Sequence, residues 1–77
     1  MDFPISKSLD LSGVTCPLNF VKTKAALAQI QSGEYLEVLL DEGEPLLNVP
    51  RSLKDEGHTI VRVTPQDTQF KLIVRKA

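Results

Sequence analysis

The sequence predicts an α+β fold, a two-layer α/β sandwich of βαβαββ order in which two helices cover one face of a mixed four-stranded sheet. Three observations lead there. Short alternating apolar runs occur at four places, segments of helical periodicity separate the first three of them, and the last two runs are joined by a tight polar turn. At 77 residues, one layer of helices on one sheet is about all the chain can bury, so residues 1–77 are read as a single domain.

In SLDLS, residues 8–12, Leu9 and Leu11 share a side, which predicts a first strand ended by Gly13; residues 1–7 are expected to form a loosely ordered N-terminal segment. From Pro17 to Gln31 the residues Leu18, Val21, Ala25 and Ala28, joined by Leu27, recur at helical spacing, and Ser32-Gly33 supplies the stop. The run EYLEVLLDEG predicts a strand with Leu36, Val38 and Leu40 on one face. A second helix is expected over 45–56, with a kink or restart near Val49, because Pro50 lacks the backbone donor that a helix interior requires. After Gly57, TIVRVT and QFKLIVRK predict two strands joined by Pro65-Gln66-Asp67-Thr68.

A right-handed crossover makes the first two strands parallel, and the closing pair must be an antiparallel hairpin. The helices are expected over Leu9, Leu11, Leu36, Val38, Leu40, Val61, Val63, Phe70, Leu72 and Val74. The other sheet face would carry Glu37, Leu39, Ile60, Arg62, Lys71, Ile73 and Arg75, a mixed surface that reads as solvated, with a partner or dimer contact as the alternative.

Composition excludes several function classes. Nine basic and ten acidic residues, mixed along the chain, give a net charge of −1, so nothing attracts a polyanion, and no direct nucleic-acid binding is expected. A single cysteine rules out an internal disulfide and a multi-cysteine zinc site within one chain. Neither a secretory leader nor a membrane-spanning run is visible, which predicts a cytoplasmic protein without membrane contact. No cofactor and no metal are expected, and the chain is read as a monomer.

The chemistry concentrates at Cys16. It directly precedes Pro17 at the start of the first predicted helix, and with Cys16 as N-cap, Pro17 falls where its missing N–H costs nothing. Sulfur there lies near unpaired N–H groups and the positive end of the helix dipole, which favour thiolate over thiol. The competing reading is a small buried apolar residue at a strand-to-helix turn. Helpers are few. His58 is the only histidine and is expected as an exposed helix-end residue, while Lys22 and Lys24 read as solvated charges on the first helix. Asn19, at N3 of this assignment, has an N–H that would serve as a backbone donor toward the sulfur. Asp41-Glu42-Gly43-Glu44 reads as a solvated acidic loop favouring the start of the second helix, with contact to a basic partner as the alternative.

The stretches LDLSGVTCPLNFVKTKAAL and GEYLEVLLDEGEPLLNVPRSLKDEGHTIV closely resemble the TusA (SirA-like) sulfur-carrier family, and the resemblance covers nearly the whole chain from Leu9 onward. Cys-Pro after a short strand and glycine, the acidic loop, and the proline followed by Gly-His are its most specific elements. The resemblance implies a two-layer sandwich similar to the C-terminal domain of translation initiation factor three. It also implies that Cys16 carries sulfane sulfur as a persulfide, with Pro17 as its helix-starting neighbour. A cysteine desulfurase or rhodanese-like donor would load the sulfur and a downstream protein thiol would accept it, so the chain would be a sulfurtransferase-type carrier acting with partner enzymes. Destinations in the family include tRNA thiolation, molybdenum-cofactor enzymes and sulfur oxidation or assimilation, and selenium handling would use the same chemistry. Asn19 stands where the family usually has a second proline. The rival class is a regulatory or nucleic-acid-binding module with a structural Cys16, for which fold likeness is weak support.

Overall fold

The computed structural model describes residues 4–15 and 18–77. Its elements follow the order β1 (Ile5–Asp10), α1 (Leu18–Leu27), β2 (Tyr35–Asp41), α2 (Glu44–Asp55), β3 (Thr59–Gln66) and β4 (Gln69–Arg75). The sheet order is β1-β2-β4-β3; β1 runs parallel to β2, and both other pairings are antiparallel. This is the predicted mixed four-stranded sheet. Leu36, Val38 and Leu40 on β2, with Leu72 and Val74 on β4, are fully buried beneath Ala26 and Leu27 of α1, Ile30 just beyond it, and Val49 and Leu53 of α2. Both helices therefore lie on one face.

Several expectations are corrected. β1 starts at Ile5, so Ile5, Ser6 and Lys7 belong to the sheet rather than to a loose N-terminal segment. α1 ends at Leu27 and tightens through turns in which Gln29 and Ile30 donate to Ala26 and Leu27. It also turns a different face to the sheet. Leu18 is 50% exposed and Val21 54%, whereas Asn19, Thr23, Ala26 and Leu27 are buried. Two local bonds accompany these polar residues inward: Asn19 Oδ1 accepts the Phe20 N–H at 2.7 Å and Thr23 Oγ1 donates to the Asn19 carbonyl at 2.8 Å.

α2 runs through Pro50 without a restart. The proline removes the bond that would reach the Leu46 carbonyl, but Val49 and Leu53, on either side of it, are fully buried and hold the segment on the sheet. Its last turn closes as Gly57, at φ 93°, and His58 donate to Lys54 and Leu53.

In β3 the pairing shifts between Ile60 and Arg62, so Ile60 moves to the helix-covered side and packs against the core. Val63, opposite Leu72, lies on the sheet edge and remains 48% exposed, while Val61 and Phe70 are only half-buried. Pro65 and Gln66 belong to the strand, which a proline tolerates at an edge, and the turn is Asp67-Thr68 alone, with Asp67 at φ 56°. On the uncovered face Ile73 is only 7% exposed, flanked in register by Glu37 and Arg62.

Candidate functional site: the β1–α1 loop

Cys16 and Pro17 lie outside the described residues, so the site is built from what stands on either side of them. The β1–β2 ladder continues past β1, since the Leu11 N–H donates to the Leu39 carbonyl at 3.0 Å, and Leu11 is buried. The chain then turns: Val14 N–H donates to the Leu11 carbonyl at 3.1 Å, with Gly13 at φ 73°, a conformation that favours glycine. Val14 packs against the core. On the far side, the Asn19 N–H donates to the Thr15 carbonyl at 3.1 Å. This N–H is thus engaged with the chain just before Cys16, and the expected donation from Asn19 to the sulfur falls on a residue outside those described.

Side chains from three strands hold this loop. Asp10 Oδ1 accepts both the N–H of Ser12 at 2.9 Å and its hydroxyl at 2.6 Å, an Asx-type turn. Asp41 Oδ2, at the end of β2, accepts the Gly13 N–H at 2.8 Å. Gln69, at the start of β4, donates from Nε2 to Asp41 Oδ1 at 3.0 Å and to Ser12 Oγ. Each carboxylate receives two donors, and each carboxyl is held below its usual range for that reason. At Asp10 the causes are the Ser12 hydroxyl and then its N–H; at Asp41 they are Gln69 and then Gly13, opposed by partial desolvation and by the charge of Asp10.

The sequence reading missed Asp10, Ser12 and Gln69 and took Asp41 for part of a solvated loop. An Asp two residues before a Ser-Gly pair carries a turn signal, but nothing near Gln69 in the sequence points to it. Beside the loop, a cleft of about 360 Å³ is lined by Gly13, Val14, Thr15, Asp41, Glu42, Glu44 and Pro45. Glu42 and Glu44 are exposed, and Glu44 begins α2 as the charge argument expects.

The remaining candidates sit elsewhere. His58 is half-buried rather than exposed, and its Nδ1 accepts the Ala77 N–H at 3.1 Å. Ala77 follows β4 where Arg75 pairs with Tyr35, at the sheet end opposite Thr15. Lys24 pairs with Glu56 at 3.2 Å and lies 5.7 Å from the Phe20 ring centroid, while Lys22 is exposed. Among the described residues no acidic, histidine or cysteine cluster could hold a metal ion, and no helix is long and apolar enough to cross a membrane.

The fold and this loop define a small α+β sandwich whose only cysteine falls, by sequence, in a strand-to-helix connection clamped from three strands. The chain belongs to the TusA sulfurtransferase family, matching the family described as "Sulfurtransferase TusA" over residues 7–76. It is 36% identical over 70 residues to the "Putative sulfur carrier protein MJ0990" of Methanocaldococcus jannaschii, covering 91% of this chain and 93% of that one. A protein of the same description from Archaeoglobus fulgidus is 35% identical over 69 residues, 88% of this chain and 78% of its own. One from Neisseria meningitidis, NMA0882, is 36% identical over 70 residues, 91% of this chain and 95% of its own.

Proposed function

We propose that this chain is a sulfur carrier in which Cys16 accepts sulfane sulfur as a persulfide and passes it to a protein thiol. In loading, the Cys16 thiolate attacks the outer sulfur of a persulfide on a cysteine desulfurase or rhodanese-like donor; a new S–S bond forms and the donor cysteine leaves as thiolate. In delivery, an acceptor thiolate attacks the outer sulfur on Cys16, and Cys16 leaves as thiolate. No net oxidant is needed in either exchange. A low Cys16 pKa serves the second step because it makes Cys16 the better leaving group.

What supports this reading is membership of the TusA family, together with the place of the only cysteine in the sequence, three positions after Gly13 of a turn that Asp10, Asp41 and Gln69 hold. Pro17 is read as the helix-starting neighbour that orients Cys16. The setting is the cytoplasm, the reaction needs partner enzymes at both ends, and the sulfur goes to tRNA thiolation or another branch of sulfur metabolism. Transfer of radiolabelled sulfur from cysteine through a desulfurase tests the reading. Label on the wild type but not on Cys16→Ser is expected, and equal labelling of both would overturn it.

A further inference from the structure

We infer that Gln69 is a positioning residue for Cys16: its side-chain amide ties the cysteine-bearing loop to β2 and β4 and thereby sets the reactivity of the thiol. The inference rests on the sulfur-carrier reading for its biological meaning, but not for its geometry.

The donor side of the Gln69 amide is fully used and directional. A carboxamide nitrogen has two hydrogens, and here one meets Ser12 Oγ and the other Asp41 Oδ1. The Ser12 hydroxyl spends its own hydrogen on Asp10, so it faces Gln69 only as an acceptor. The second oxygen of Asp41 is occupied by Gly13 N–H. Only a donor carrying two hydrogens satisfies position 69. A carboxylate there would face a second carboxylate and a lone pair; an alkyl chain would leave both acceptors without this donor.

The consequence reaches Cys16 through the backbone. Ser12 and Gly13 are held by the clamp, Val14 by the core, and Thr15 by the Asn19 N–H at the start of α1. Ser12 and Gly13 form the turn that the Val14 N–H closes on the Leu11 carbonyl, so loosening them loosens Val14 and Thr15, which lead to Cys16 in sequence, and thiolate character depends on accurate placement against N–H donors.

Since the chain has one cysteine, iodoacetamide labelling reports Cys16 alone. The test is the pH profile of its alkylation rate in wild type, Gln69→Leu, Gln69→Glu and the control Gln66→Leu, the last at an exposed residue opposite Gln69 in the hairpin. Expected is a rate at pH 7 at least about threefold lower in both Gln69 variants, with the profile moved to higher pH, and a wild-type profile for Gln66→Leu. Should the Gln69 variants fail to fold, Ser12→Ala removes the same bridge from an exposed position and is expected to move the profile in the same direction. Superimposed profiles in folded variants, or a change in Gln69→Glu alone, which added charge explains, would overturn the inference. Persulfide loading of the wild type is scored separately. Loading with superimposed profiles would remove the clamp and keep the carrier; a shifted profile without loading by any donor would do the reverse.

Discussion

Gly13 donates its backbone N–H to Asp41 Oδ2 at 2.8 Å, joining the loop after β1 to the end of β2 across 28 positions of sequence. Two effects are separable there. Gly13→Ala meets no steric obstacle, since nothing lies within 4 Å of the added methyl, but φ 73° strains any side-chain-bearing residue. A loss of about 1–2 kcal/mol in urea unfolding is expected. Asp41→Ala keeps the glycine and removes the acceptor, so faster hydrogen exchange at the Gly13 amide is expected, and unchanged exchange would contradict the bond.

Acid should loosen this loop first. Asp10 and Asp41 both have carboxyls depressed below the ordinary value, so their contribution to stability is fully present above the unfolded Asp pKa, about 3.9, and is lost as pH falls through the lower folded values. The Gly13 and Ser12 amide resonances are expected to hold their positions down to about pH 4 and to move below it. Movement centred well above pH 4 would contradict the assigned partners.

The inward face of α1 makes a mutational contrast. Leu27→Ala should cost about 2–4 kcal/mol and Val21→Ser about 0.5 kcal/mol or less, because Leu27 is buried and Val21 is 54% exposed. Equal costs would restore the stripe through Leu18, Val21 and Ala25 that periodicity suggests.

A second contrast tests the irregular edge of the sheet. Leu53→Ala, in the fully buried centre, is expected to cost about 3 kcal/mol, a large part of the roughly 4–11 kcal/mol typical of a domain this size. Val63→Ala is expected to cost about 0.5 kcal/mol or less. Thermal or urea unfolding of the two variants decides whether Val63 lies outside the core.

What could be read in advance divides along physical lines. β2 was legible because Leu36, Val38 and Leu40 alternate strictly and all three are buried. α1 misled because the polar Asn19 and Thr23 lie on its buried face, where Asn19 Oδ1 and Thr23 Oγ1 make local backbone bonds, so the hydropathy of the side chains does not follow that face. The irregular pairing between Ile60 and Arg62 changes which residues of β3 face inward, and alternation alone cannot reveal a shift of one residue. At the candidate site, Cys16-Pro17 was conspicuous as a motif. The clamp was not, because Gln69 meets Ser12 from 57 positions away and the sheet order that joins them is a tertiary property.

The most direct measurement is the intact mass of the purified protein after incubation with a cysteine desulfurase and cysteine, run beside Cys16→Ala, with and without reductant. A gain of about 32 Da, one sulfur atom, in the wild type alone and reversed by reductant is the predicted result. No gain with this donor, nor with a rhodanese and thiosulfate, would contradict the carrier account and leave an interaction module with a structural Cys16.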